Sequence, residues 1–164
     1  MNKQHILRVL LENASKFEWR PELQGLRRGG NFFYVTDALI LVKIHKRYLP
    51  TDPESQKVWS KIKTNRVLHN KSNVDFSFDT KELNKISNHI AISCYRGIEI
   101  AEGCYSFVVM RRLLRLLRAL QIPYPKVKYT DNNCMRIEAG DHIKIIVMGV
   151  ITSAPDYYKY LNTF

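Results

Sequence analysis

Four arginines in one short stretch, Arg111, Arg112, Arg115 and Arg118 within Val109–Gln121 (VMRRLLRLLRALQ), carry the strongest chemical signal in this chain. At about 100° per residue, Val109, Met110, Leu113, Leu116, Leu117 and Leu120 fall on one apolar arc. Arg111, Arg115 and Arg118 stack on the opposite face, with Arg112 at its shoulder. The arc can enter a core. The guanidinium groups must meet water or an anion, and their permanent charge and planar donor fork suit phosphate. A basic amphipathic helix also fits a solvated face, a membrane-surface helix or a partner-binding helix.

Other reactive residue types lack the spacing that chemistry needs. His5, His45, His69, His89 and His142 show no HxxxH and no Cys-His pattern, so no metal or cofactor site is expected. Gly29-Gly30 is too short for a phosphate-cradling loop and precedes a strand rather than a helix. Ser106 and Ser153 have no base partner or nucleophile-elbow context. Asp156 with Asp52 or Asp79 makes no recognisable catalytic pair. His45-Lys46-Arg47 is a basic cluster that suits either phosphate or a solvated strand end. Tyr157, Tyr158, Tyr160 and Phe164 suit stacking on bases or packing of a terminal segment. No enzymatic activity is expected from these residues.

Composition narrows the partners. The 164 residues hold 26 basic and 15 acidic side chains, a net charge of +11. Such an excess favours polyanions, nucleic acid first and anionic membrane second. No apolar run is long enough to span a bilayer, and MNKQHILRVLLENASKF lacks a signal peptide's apolar core and cleavage site. Cys94, Cys104 and Cys134 are odd in number, far apart and without CxxC, which points to free thiols in a reducing cytoplasm. The length suits one domain with a sizeable core.

The elements that must position the arginines follow from periodicity. Residues 3–17 predict an amphipathic helix with Ile6, Val9, Leu10, Ala14 and Phe17 inward and Gln4, Arg8, Glu12 and Ser15 outward. Trp19-Arg20-Pro21 ends it. ELQGLRR and NFFYVTD flank Gly29-Gly30 as a hairpin, and a strand at 38–45 follows Thr36-Asp37. Residues 47–80 are punctuated by Pro50, Asp52 and Pro53. A short helix over 54–63 carrying Trp59 and a polar loop at 65–73 are expected there. His89–Tyr95 and Ile98–Ala101 read as strands, and Phe107-Val108 as the end of another extended segment. Pro123 and Pro125 close the arginine helix. Val127–Tyr129, Met135–Glu138 and His142–Met148 then form an antiparallel meander. The order helix, strands, helix, strands predicts an α+β fold with two helices packed on antiparallel sheets.

That rhythm, with three local motifs, resembles the middle domain of the bacterial DNA sliding clamp, the processivity β subunit of the replicative polymerase. The clamp's R-P-x-L-x-G-V is matched by Arg20-Pro21-Glu22-Leu23-Gln24-Gly25-Leu26. Its A-T-D-G-H-R-L-A is matched by Val35-Thr36-Asp37-Ala38-Leu39-Ile40-Leu41-Val42, and its F-P-D-Y exit by Ala154-Pro155-Asp156-Tyr157. The resemblance covers one clamp-like domain over 1–164, with an insertion or elaboration at about 47–85.

The resemblance implies a ring whose hole is lined by helices and whose sheets join edge to edge, removing exposed strand edges. Basic side chains on the inner helices then hold duplex DNA through its phosphates without reading bases. Arg111, Arg112, Arg115 and Arg118 would face the DNA, with Arg8, Lys3 and Lys16 of the first helix as weaker contacts. Lys3 sits nearer the apolar side, and Glu12 interrupts the row. Thr36, Asp37, Leu39 and Leu41 occupy the neighbourhood that in the family helps form a groove for partner peptides. An Asp at a strand junction also simply makes a turn, and Leu39 and Leu41 also suit the core. Two departures follow. A clamp ring needs six such domains, so this chain would self-associate, pair with another clamp-like chain or act without a ring. The Gly-His-Arg of the clamp motif is Ala38-Leu39-Ile40 here, which makes the half-groove more apolar. A replication or repair protein is the partner this implies; a clamp-fold interaction module without sliding is the alternative.

Overall fold

Alternate residues of four strands share one apolar face and decide the architecture. β2 (Phe32–Thr36), β3 (Ile40–His45), β9 (Cys134–Ala139) and β10 (Ile143–Met148) turn Phe33, Val35, Ile40, Val42, Ile44, Met135, Ile137, Ile143, Ile145 and Val147 to one buried face. The computed structural model describes residues 1–14, 16, 18, 20–57, 72–81, 83, 97–100, 103–130, 134–149 and 157–160. Its further strands are β1 (Arg27–Gly29), β4 (Gln56–Lys57), β5 (Ser72–Ser77), β6 (Gly97–Ile100), β7 (Gly103–Ser106), β8 (Lys126–Thr130) and β11 (Tyr157–Tyr160). Its helices are α1 (Lys3–Leu11) and α2 (Phe107–Ala119).

Among the described residues, eight strands form one sheet in the order β4-β1-β2-β3-β10-β9-β8-β5, and β11-β6-β7 form a second. Pairing is antiparallel except at β1–β4 and β6–β11. The two meanders, β1-β2-β3 and β8-β9-β10, meet where β3 pairs β10, with Val42 opposite Ile145 and Ile44 opposite Ile143. α1 and α2 both cover the inward face of the large sheet and touch one another. This is the expected α+β arrangement, with helices on a sheet face.

Local chemistry moved several boundaries. α1 starts where the Asn2 side chain accepts a hydrogen bond from the His5 amide at 3.1 Å. It stops at Leu11 rather than near residue 17. Buried Asn13 donates its side-chain amide to the Val9 carbonyl at 3.0 Å, while the Asn13 and Ala14 amides close tight turns onto Leu10 and Leu11. Phe17 lies outside the described residues, as do Ser15 and Trp19. The first arm of the hairpin is shorter than expected, because Pro21–Leu23 forms a 3-10 turn and Gly25 turns at φ +68°. Residues 56–57 form a strand beside Arg27 and Arg28, not helix, because their backbone groups continue the sheet edge. The rest of that expected helix, with Trp59, lies outside the described residues. Ser72 and Asn73 open β5, so the expected loop ends earlier; 65–71 are outside the described set. Phe107 and Val108 begin α2 instead of ending a strand, because Ser106 already takes the extended N-cap conformation. His89–Tyr95 and Ala154–Asp156 are likewise not among the described residues, and Tyr157 opens β11.

Candidate nucleic-acid interface

α2 is held by its leucines. Met110, Leu113, Leu116 and Leu117 are fully buried, and Val109, Leu114 and Leu120 nearly so. Each buried aliphatic side chain contributes about 1.5–3 kcal/mol, so the helix has one way to lie on the sheet. Leu114 lies outside the arc that the spacing predicts; its burial widens the apolar face towards Arg118. The helix ends in a Schellman motif. Gln121 takes φ +57°, its amide bonds the Arg118 carbonyl at 3.0 Å, and the Ile122 amide bonds the Leu117 carbonyl at 2.9 Å. Pro123 and Pro125 follow the stop, as the sequence predicts.

Packing divides the four arginines. Arg111, Arg115 and Arg118 are exposed. Arg112 is drawn out of that row. Its guanidinium pairs with Asp37 Oδ2 at 2.6 Å, with only 19% and 11% of the two side chains exposed. It also donates to the Glu12 carbonyl at 3.4 Å, which ties α2 to the end of α1. Arg115 pairs with Glu12 Oε2 at 3.1 Å yet keeps 59% of its side chain exposed. The interruption read from Glu12 is therefore real, but it acts across helices, on α2.

The partner of Arg112 is a residue that the resemblance had assigned to a different site. Asp37 Oδ1 accepts from the Leu39 and Ile40 amides at 2.9 and 3.0 Å, and Thr36 Oγ1 accepts from the Ala38 amide at 3.0 Å. These bonds form the turn expected of an Asp at a strand junction, and they hold Ala38 at φ +75°. Leu39 is not a core residue: the turn leaves it 42% exposed beside Met148, itself 46% exposed, whose amide bonds the Leu39 carbonyl at 2.8 Å. Leu41 points to the sheet face opposite the helices, where it packs with Tyr34, Cys134 and Ile146. Sequence reasoning missed Met148, because the β3–β10 register that brings it to Leu39 leaves no local trace.

The weaker basic candidates scatter. Arg8 is exposed, with its guanidinium 3.1 Å from His5 Nδ1. Lys3 is exposed and lines a 270 Å³ hollow with Arg28, Lys46 and Leu49–Pro53, beside the first hairpin rather than beside α2. Lys16 is exposed beyond the end of α1. On the outer sheet face Glu138 collects Lys144 at 3.4 Å, Arg136 at 3.5 Å and Lys128 at 4.0 Å. Burial, and then the charge of Lys144, holds the Lys43 ammonium below its ordinary pKa. Burial raises that of Tyr34. His45 sits edge-on to Phe32 and His142, with ring centroids 5.2 and 5.1 Å apart. Its Nδ1 accepts from the Arg47 amide at 3.2 Å. Desolvation, then His142, Arg47 and Lys46, push its pKa below the usual histidine value. Among the described residues no three His, Cys, Asp or Glu side chains are grouped to hold a metal ion, and no helix is long and apolar enough to cross a membrane.

Solved structures match this arrangement. The DNA polymerase sliding clamp from Bacillus subtilis superposes with TM-score 0.63 at 13% identity, covering 91% of this chain and 62% of that one. The fold is that of a DNA sliding clamp. The DNA polymerase III beta subunit from Thermotoga maritima gives TM-score 0.64 at 13% identity over 93% of this chain and 63% of that one. The subunit from Pseudomonas aeruginosa gives 0.62 at 15% identity, covering 92% and 66%. The chain therefore spans under two thirds of the length of these clamp chains. No family model matches the sequence. No curated protein matches it by sequence either. At these identities it is the clamp fold that is shared, and the site residues stand on their own geometry.

Proposed function

We propose that this chain is a non-enzymatic, clamp-type DNA-binding protein that holds duplex DNA without reading its sequence, through the open face of α2. The observation that carries the reading is the row Arg111, Arg115 and Arg118, exposed on a helix whose other face is locked into the core. Over the seven steps from Arg111 to Arg118 the helix rises about 10 Å, close to three phosphate-to-phosphate steps along one strand at about 3.4 Å each. A net charge of +11 supports the same partner. Arg8, Lys3 and Lys16 belong to this reading as outlying contacts, and Arg112 as the residue that fixes the helix. Residues 1–164 act as a single clamp-like domain, and encircling DNA takes several such domains together. A replication or repair protein is then received at the turn that Thr36 and Asp37 hold, through exposed Leu39, with Leu41 on the adjoining strand.

The test is the salt dependence of duplex binding. Affinity should fall with a log–log slope of about 0.9 per neutralised phosphate and differ little between sequences. Reversal of Arg111, Arg115 and Arg118 to Glu should remove at least about 2.7 from that slope while the thermal melt stays cooperative. Unchanged affinity in the triple variant sinks the role of the helix. The mass of the particle in solution, with and without DNA, separates a ring from a lone domain.

A second reading has its own observation. The exposed pair Leu39 and Met148 forms an apolar spot beside the Asp37 turn, which suits a clamp-fold interaction module that has lost ring formation and sliding. A monomer in solution that retains a protein partner at high salt, and ignores DNA, selects it.

A further inference from the structure

The C-terminal end of α2 carries a hollow that the arginine row does not account for. It holds about 310 Å³ and is lined by Thr80, Lys81, Arg118, Gln121, Ile122 and Pro123. Lys81 arrives from a distant part of the chain, on a turn anchored to the segment after α2. The Thr80 amide bonds the Pro123 carbonyl at 3.0 Å, and Ser77 Oγ bonds the Pro125 carbonyl at 2.9 Å. Both Lys81 and Arg118 are exposed, and among the described residues neither forms an ion pair.

Two cations sharing a hollow repel one another unless an anion lies between them. The acid nearest in sequence among the described residues is Asp79. Its Oδ1 accepts from the Lys81 amide at 2.7 Å, so it caps the turn. The end of a helix would ordinarily repel an anion through its free carbonyls. Here the carbonyls of Leu116, Leu117 and Arg118 are each taken by an amide of Leu120, Ile122 or Gln121, which mutes that repulsion. Arg118 also belongs to the row begun by Arg111, so the hollow extends the row beyond the helix.

We infer that Lys81 and Arg118 form a phosphate site that continues the α2 row and grips the duplex backbone one step past the helix end. The inference rests on the proposed binding of duplex DNA and adds a contact from a segment that the sequence pattern left without a role. An acidic protein surface is the competing occupant. Continuity with Arg111 and Arg115 favours the regular spacing of nucleic-acid phosphates.

The experiment measures binding of a fluorescent duplex to the full chain across a salt series. It compares the unmodified protein with Lys81→Gln, Lys81→Arg, Arg118→Gln and a control, Lys57→Gln, on the exposed β4 edge. Each Gln variant in the hollow should lower the slope by about 0.9. Lys81→Arg should restore it, and Lys57→Gln should leave it unchanged. A full slope in Lys81→Gln, alongside a reduced one in Arg118→Gln, overturns the Lys81 site and leaves the α2 reading standing. A duplex affinity that ignores salt in the unmodified chain overturns both. Equal loss in Lys57→Gln also overturns the site, because it shows a diffuse charge effect.

Discussion

α1 and α2 perform the same packing task with different outer faces. Each lays aliphatic side chains on the inward face of one sheet, Ile6, Val9 and Leu10 from α1 and Leu113, Leu116 and Leu117 from α2. α1 then shows solvent a mixed surface of Lys3, Gln4, His5 and Arg8, whereas α2 shows Arg111, Arg115 and Arg118. The ends differ as well. Buried Asn13 stops α1 early, while α2 runs thirteen residues to a Schellman stop. Burial constrains one face of each helix and leaves the other free, so function is written where packing makes no demand. Arg112 is the instructive exception. It lies on α2 but belongs to the scaffold, because Asp37 and the end of α1 meet it there.

The contrast between scaffold and surface arginines gives the largest expected effect. Arg112→Ala strands the Asp37 carboxylate in a mostly buried site and should cost about 3 kcal/mol. Arg111→Ala should fall within about 0.5 kcal/mol. Urea unfolding of the two variants measures the difference, and equal midpoints would erase the distinction drawn between them. The helix ends offer a smaller effect of opposite sign. Gln121 holds a left-handed conformation that glycine adopts without a Cβ penalty. Gln121→Gly should therefore stabilise by about 0.5–1 kcal/mol, and a lower melting temperature would count against the strained stop.

Glu12 is where the two helices exchange charge. Glu12→Gln should change stability by less than about 1 kcal/mol, because Arg115 is largely exposed. Freed of its acid, Arg115 should raise duplex affinity about fivefold at low salt, the equivalent of roughly 1 kcal/mol. An affinity that stays constant would mean that Arg115 does not touch the phosphates. The smallest expected effect concerns pH. A histidine whose folded pKa is depressed stabilises the fold above its unfolded value and loses that contribution as pH falls through the folded one. The melting temperature should therefore drop as pH falls below about 6.5, and His45→Gln should flatten the drop. A profile identical in the variant would acquit His45.

Much of the fold was legible locally. Alternation in Met135–Glu138 and His142–Met148 located β9 and β10, and the leucine spacing located α2, because both periods follow from backbone geometry alone. Ends were less legible where a single side chain overrode the period, as Asn13 does in α1. The segment at 54–57 misled for another reason. β4 is two residues long, and its strand state comes from pairing with β1, not from its own composition.

At the candidate site, the sequence by itself determined that α2 would be amphipathic and that a row of arginines would lie opposite its leucines. Those properties depend on residues three and four apart in one helix. Only the tertiary structure decided what surrounds the arginines. Arg112 is neutralised by Asp37, Arg115 is shared with Glu12, and Arg118 is joined by Lys81. Each of those partners comes from a part of the chain remote from α2. Their meeting depends on how the helices and the β2–β3 turn settle on a common sheet. Ion pairing falls off within a few ångströms, so it is decided by that settling and not by the spacing of residues along the chain.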